Sequence, residues 1–417
     1  METLVTPSSL QGSVNAIASK SMAHRLLILS ALCEEPCELV CNTTSQDIEA
    51  TRDCLAGIWQ RLHALDKEQE QERLQLDCAE SGSTLRFLLP VVCALGISAR
   101  LVCHGRLSQR PLAPLDEQLR AHGAHLEWNQ NALEVDGALR GGTFVMPGNV
   151  SSQYVSGLLL AAPLLREPTV LLVKKPVESR PYITLTINAL GLFGADLSVQ
   201  STTQNGVAYE RYGVQPRPLV APRTCVVEGD WSNAAFWLAA GALEREGLTV
   251  TGLDLASAQG DRAVLAALTS FGARIARKGS AARATKDTPR AATLDVSAIP
   301  DLVPPLAAVA ATAPGTSRFL NAGRLRLKES DRLASVTGAI NAMGGSAHVC
   351  DDDLVVEGTE RLRGGVVDAH NDHRIAMMAA IMATHATGPT RILGSECVAK
   401  SYPTFWEDYH KLGGTVA

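Results

Sequence analysis

The chain has 417 residues, of which 46% are hydrophobic, 19% charged and only 4% aromatic. That length predicts two domains, with cores built from Ala, Leu, Val and Ile. A formal net charge of −5 excludes a general nucleic-acid binder while leaving room for a local basic cleft, and no apolar run approaches the roughly 20 residues that span a bilayer.

In chain order, the opening Met-Glu-Thr-Leu-Val-Thr-Pro has neither the basic nor the apolar region of a secretory leader, so a cytoplasmic protein is expected. A first apolar helix is predicted near Lys20. Cys33, Cys37 and Cys41 follow it at spacings of four, with no histidine nearby. They fit the apolar end of that helix and the next strand better than a metal site. The ten cysteines carry no CxxC pair and are expected to be reduced thiols. Leu55-Ala56-Gly57 predicts the end of an outer helix. The charged insert His63 to Arg73 is expected to be solvated helix and loop.

These two features recur. Glycines 57, 123, 194, 272, 344 and 413 each close a helix-stop pattern, at intervals of about 70 residues, the size of a full supersecondary repeat. In step with them, six polar openings lead into strongly apolar segments, near Lys20, Ser83, Ser152, Trp231, Asp301 and Asp372. Helices apolar nearly all round are buried helices. Each of six units should therefore hold one buried helix, strands, and an outer helix ending in glycine. Pro304 and Pro305 suit the first turn of their helix, and Ser19 and Ser232 suit helix caps.

Arg324 to Arg332 reads Arg-Leu-Arg-Leu-Lys-Glu-Ser-Asp-Arg. The alternation predicts a strand with Arg324, Arg326 and Lys328 on one face. A helix should follow, capped by Ser330, with Leu333, Val336, Ile340 and Met343 as its buried stripe. Lys328 and Glu329 would then lie beside the positive end of a helix dipole, a place suited to binding an anion and moving a proton. Asp331 is expected to be structural, orienting an arginine.

Arg25, Arg86 and Arg374 each fall within about a turn of the start of an apolar helix. A buried arginine is costly unless paired, and helix starts are anion sites. If the repeats stack symmetrically, these starts converge on a ligand carrying several negative charges.

Ser19-Lys20-Ser21 with Arg25, Gly82-Ser83-Thr84-Leu85-Arg86, Arg110-Pro111, Ser151-Ser152-Gln153, Ser179 with Pro181-Tyr182, Asp301, Lys328-Glu329-Ser330-Asp331-Arg332, Asn371-Asp372-His373-Arg374 and Lys400 resemble, in order, the 3-phosphoshikimate 1-carboxyvinyltransferase (EPSP synthase) family. The resemblance implies a two-domain inside-out α/β barrel of six repeats, three per domain, with buried parallel helices and sheets outside. It implies one domain over residues 19–228, a second over 1–18 and 229–417, and an active site in the cleft between them. The implied reaction moves the enolpyruvyl group of phosphoenolpyruvate to the 5-hydroxyl of shikimate 3-phosphate by addition and elimination, toward chorismate and aromatic amino acids. It uses no metal or organic cofactor. A monomer is expected, with no nucleic-acid or membrane partner.

By the same resemblance, shikimate 3-phosphate would be held by Lys20, Ser21, Arg25, Ser151, Ser152, Gln153, Ser179, Tyr182, Asp301 and Lys328. Phosphoenolpyruvate would be held by Lys20, Gly82, Arg110, Gln153, Arg332, Arg374 and Lys400. Lys20, Asp301 and Glu329 would be catalytic. Glu329 would exchange a proton with the methylene carbon, Asp301 would accept the 5-hydroxyl proton, and Lys20 would be a second acid/base. Domain closure would exclude water. Two positions depart from the family pattern. Cys78-Ala79-Glu80-Ser81 stands where many members carry Gly-Asn-Ala or Gly-Asn-Ser, and Arg324 replaces an asparagine. Two alternatives share parts of this pattern. One is a UDP-N-acetylglucosamine enolpyruvyl transferase, which typically uses a loop cysteine where this chain has Leu107-Ser108-Gln109-Arg110. The other is a non-catalytic anion-binding repeat protein.

Overall fold

The computed structural model describes residues 1–63 and 72–417. Most of the charged insert expected as solvated helix lies outside the described residues. The chain divides into two compact units, residues 20–227 and residues 1–19 with 228–417.

The first unit carries helices α1 (Lys20–Ala31), α2 (Gln46–His63), α3 (Gly82–Leu95), α4 (Leu115–Ala121), α5 (Ser152–Ala161) and α6 (Arg180–Leu192). The second carries α7 (Trp231–Leu243), α8 (Val264–Ser270), α9 (Val303–Ala310), α10 (Arg332–Ala342), α11 (His373–Thr384) and α12 (Phe405–Lys411). The odd-numbered helices are the predicted buried ones. Every residue of α7, α9 and α11 is buried, which explains their Ala-rich composition, since small side chains allow close helix packing. The even-numbered helices bury one face only.

The strands repeat one pattern. Leu74–Asp77 runs parallel to Ala99–Val102, which is antiparallel to Ala132–Asp136, which pairs in turn with His125–Asn129. Four further sheets have the same order of one parallel and two antiparallel pairings. The sixth, among the described residues, is only the parallel pair of Glu38–Val40 with Thr224–Val226. Each unit holds three of these sheets. The N-terminal strands Glu2–Thr6 and Gly12–Asn15 pair with Thr390–Leu393 and Leu248–Thr251. These ladders tie residues 1–19 to the C-terminal half of the chain. No described helix is long and apolar enough to cross a membrane.

Three local expectations are corrected. Glycines 123, 194, 272, 344 and 413 follow the ends of α4, α6, α8, α10 and α12 with φ between +74° and +105°, as helix-stop glycines should. Gly57 does not, because α2 runs on to His63. Ile58, buried one residue later, continues the apolar face, and a Cβ at Gly57 would meet Leu74 and Leu76 only at ordinary contact distance. Secondly, Gly323–Leu327 is a short 3-10 helix rather than a strand. Alternation would place Leu325 and Leu327 on one face, yet Leu325 is buried and Leu327 is exposed. Lastly, Asp331 rather than Ser330 caps α10, accepting from Ala334 N at 3.1 Å. The buried stripe of Leu333, Val336, Ile340 and Met343 is as expected.

Candidate active site

In the unit of residues 20–227, hydroxyl groups tie together the starts of the buried helices. His24 Nδ1 lies 2.7 Å from Thr51 Oγ1, which lies 2.7 Å from Thr84 Oγ1. Thr84 donates in turn to Ser81, the cap of α3, at 2.7 Å. Burial, with Lys20 and Arg25 nearby, pushes the His24 imidazole well below its usual pKa, so this chain joins neutral groups. Lys20 is held at the start of α1 by Asp47 Oδ2 at 2.8 Å. Its partner lies 27 residues away on α2, and no local pattern in the sequence pointed to it.

Gly82 opens α3 with two guanidinium groups against it. A Cβ at this position would sit 2.7 Å from Arg86 Nη1 and 2.8 Å from Arg110 Nη1. Arg86 Nη1 donates to Gln153 Oε1 at 2.8 Å, and Gln153 Nε2 donates to Ser83 Oγ at 2.9 Å. The structure thus brings Gly82, Arg110, Arg86 and Gln153 to the paired starts of α3 and α5. Ser151 caps α5 through Gln153 N, with the buried Ser152 next to it. Ser179 precedes α6 in the left-handed conformation, φ +51° and ψ +33°, and its hydroxyl does not cap that helix. A non-glycine residue there is uncommon, and such strain concentrates at functional sites. Tyr182 meets Arg25 through its backbone carbonyl, which accepts from Arg25 Nη2 at 2.9 Å.

In the unit of residues 1–19 and 228–417, Arg332 is 1% exposed and reaches three carboxylates. Its Nε donates to Asp372 Oδ2 at 2.7 Å and its Nη1 to Asp301 Oδ1 at 2.7 Å, while Nη2 pairs with Glu329. Lys328 Nζ reaches the same Asp301 Oδ1 at 3.0 Å. Arg374 Nη2 lies 3.7 Å from Asp301 Oδ2 and donates to Ser232 Oγ at 2.8 Å. Lys400 Nζ donates to the carbonyl of Asn371 at 2.8 Å. Asp372 is fully buried. It caps α11 by accepting from Arg374 N, and it accepts from Ser330 Oγ at 3.0 Å.

The charges interlock. Burial alone would raise the Asp301 pKa, but Lys328, Arg374 and Arg332 outweigh it and hold the carboxyl well below the usual range. Burial lowers the Lys328 pKa, with Asp301 opposing. For Arg332 burial is overcome by Asp372, Glu329 and Asp301, and the guanidinium is held more firmly protonated than usual.

One sequence expectation changes here and another is met. Ser232 is not a cap: Asp230 caps α7 through Asn233 N, which leaves Ser232 to accept from Arg374. Asp331 is structural as expected, capping its helix and lying 3.7 Å from the neighbouring Arg326, while the aspartate that orients Arg332 is Asp372. The Asn-Asp-His-Arg run marked Asp372, but only folding shows that it serves an arginine 40 residues earlier.

A family profile described as EPSP synthase (3-phosphoshikimate 1-carboxyvinyltransferase) matches residues 4–409. The chain is 36% identical over 422 residues to the 3-phosphoshikimate 1-carboxyvinyltransferase of Clostridium kluyveri, covering 99% of this chain and 97% of that one. It is 34% identical over 426 residues to the protein of the same name from Brachyspira hyodysenteriae, covering 100% of each. The fold is similar to that of an EPSP synthase from Acinetobacter baumannii, with a TM-score of 0.76 at 23% identity over 100% of this chain and 99% of that one. It is also similar to the enolpyruvyl transferase NikO from Streptomyces tendae, with a TM-score of 0.75 at 20% identity over 100% and 98%. These neighbours share the mixed α/β architecture of six repeats in two domains. The profile spans nearly every helix and strand described above, and the chain belongs to the EPSP synthase (3-phosphoshikimate 1-carboxyvinyltransferase) family.

Proposed function

We infer that this chain transfers the enolpyruvyl group of phosphoenolpyruvate to the 5-hydroxyl of shikimate 3-phosphate, releasing phosphate in the shikimate pathway. The structural observation that carries the reading is the cluster of Asp301, Lys328, Glu329, Arg332 and Arg374, where acid/base groups stand among cations suited to anionic substrates.

The residue roles are assigned as follows. In residues 20–227, Lys20, Ser21, Arg25, Ser151, Ser152, Gln153, Ser179 and Tyr182 serve shikimate 3-phosphate. Lys20, Gly82, Arg110 and Gln153 serve phosphoenolpyruvate. In the other unit, Asp301 and Lys328 serve the acceptor, and Arg332, Arg374 and Lys400 serve the donor. These units, with the boundary near residues 19 and 228, are taken as the functional domains. Glu329 exchanges a proton with the methylene carbon. The 5-hydroxyl adds to the neighbouring carbon, giving its proton to Asp301, and the tetrahedral adduct expels phosphate.

A carboxylate surrounded by three cations is a weak base. Asp301 therefore works best once the substrates' phosphate and carboxylate groups offset some of that positive charge, which raises its pKa toward a useful range. Arg332 already meets three protein carboxylates, so its donor contact requires one of them to yield, and Glu329 is the most exposed of the three.

The reading also takes the enzyme as a cytoplasmic monomer, which sedimentation and fractionation would check. Purified protein should release phosphate from phosphoenolpyruvate only when shikimate 3-phosphate is present. Release with UDP-N-acetylglucosamine instead would assign the other acceptor, and tight binding without turnover would assign an anion-binding protein.

A further inference from the structure

Arg25 and Arg332 are both buried, yet they are satisfied in opposite ways. Arg332 is neutralised by three carboxylates. Arg25 is 2% exposed, and its partners are neutral oxygens. Nε donates to Thr186 Oγ1 at 2.7 Å, Nη1 to the Ser21 carbonyl at 2.5 Å, and Nη2 to the Tyr182 carbonyl at 2.9 Å and Ser156 Oγ at 3.3 Å. The ring of Phe87 lies 4.8 Å from its Cζ. Among the described residues no carboxylate forms an ion pair with it. Burial accordingly lowers its pKa to about 9, with Tyr182 opposing.

Thr186 on α6 and Ser156 on α5 are fully buried and lie 2.8 Å apart. Because Thr186 Oγ1 accepts from Arg25, its own proton goes to Ser156 Oγ at 2.8 Å or to the Tyr182 carbonyl at 3.2 Å. Either way the hydroxyl turns its oxygen to the guanidinium. A hydroxyl orients a guanidinium without cancelling its charge, whereas a carboxylate does both.

We propose that Thr186 and Ser156 are positioning residues that hold Arg25 in place while leaving its positive charge available to the phosphorylated acceptor. This rests on the assignment of Arg25 to shikimate 3-phosphate. It adds that the acceptor's affinity depends on two hydroxyl groups that do not touch it.

The test uses the full chain and shikimate 3-phosphate, with calorimetric Kd values, separate kcat and KM values, and thermal unfolding. A hydrogen bond to a charged group is strong enough that Thr186→Val should raise Kd and KM for shikimate 3-phosphate about tenfold or more. KM for phosphoenolpyruvate at saturating acceptor should change by less than about twofold. Thr186→Ser should restore the wild-type values. In an Arg25→Ala background, Thr186→Val should have almost no further effect on acceptor binding. Equal rises in both KM values, an effect that persists in the Arg25→Ala background, or no change in any of them would overturn the proposal. If wild-type protein itself bound no shikimate 3-phosphate, the acceptor assignment would fall instead.

Discussion

Asp301 Oδ1 accepts from Arg332 Nη1 at 2.7 Å and from Lys328 Nζ at 3.0 Å. One carboxylate oxygen thus joins the start of α10 to the 3-10 turn that leads into α9. Several consequences can be measured.

The Asp301 carboxyl is held well below its usual pKa, so its stabilising effect is present above the unfolded value and lost as pH falls through the folded one. Asp301→Asn should cost about 3–5 kcal/mol, because it breaks a buried ion-paired cluster. The difference from wild type should be flat from about pH 5 to 7 and shrink below about pH 4. Denaturant unfolding of both proteins across that range checks this. A difference that faded between about pH 6 and 7 would mean that the cations do not hold Asp301 ionised.

Glu329 is 24% exposed and pairs with an arginine that keeps two other carboxylates. Glu329→Gln should therefore change stability little while lowering kcat by about 10²–10⁴-fold, the usual contribution of a placed acid or base. Exchange of the phosphoenolpyruvate methylene hydrogens with deuterated solvent should slow in parallel. Near-wild-type kcat would remove Glu329 from proton transfer.

Asp372 is buried, caps α11 and accepts from Arg332 and Ser330. Asp372→Asn keeps the shape but removes the charge opposite a 1%-exposed guanidinium. A loss of about 3–5 kcal/mol is expected, readable as a lowered Tm. Ser330→Ala should lose only about 1 kcal/mol.

At Gly82 a methyl group would enter the space of Arg86 Nη1 and Arg110 Nη1. Both are ends of flexible side chains, so Gly82→Ala should fold normally. Moving Arg110, which is assigned to the donor, together with Arg86 beside it should raise KM for phosphoenolpyruvate by about tenfold, within the range for misplacing a bound group. The Kd for shikimate 3-phosphate should hardly move. A rise confined to the acceptor would reassign this pocket.

Gly57 and Gly272 share a sequence pattern but should respond oppositely to alanine. Gly57 lies inside α2, and its added Cβ would meet Leu74 and Leu76 at an ordinary 3.6 Å, so Gly57→Ala should stabilise by about 0.5–1 kcal/mol. Gly272 has φ +87°, and its Cβ would fall 1.8 Å from the Thr288 carbonyl. Gly272→Ala should destabilise by about 1 kcal/mol or more. Urea midpoints of the two variants check the pair.

By itself the sequence determined the six buried helices, their starts and their polar openings, because hydrophobic periodicity and capping chemistry act over a few residues. It also marked Lys328, Glu329, Arg332 and Arg374 as the chemically unusual groups, since so many charges beside apolar helix segments require a reason. Tertiary structure decided the partners. Asp47 meets Lys20 across 27 residues, Asp372 meets Arg332 across 40, and Thr186 meets Arg25 across 161, and no local pattern specifies such pairings. Among neighbouring candidate caps it chose Asp331 over Ser330 and Asp230 over Ser232, because the serine hydroxyls are drawn to Asp372 and Arg374. It also carried α2 past Gly57, where burying Ile58 outweighs a local stop signal, and it placed residues 1–19 with residues 228–417, because strand pairing depends on which edges meet in the folded chain.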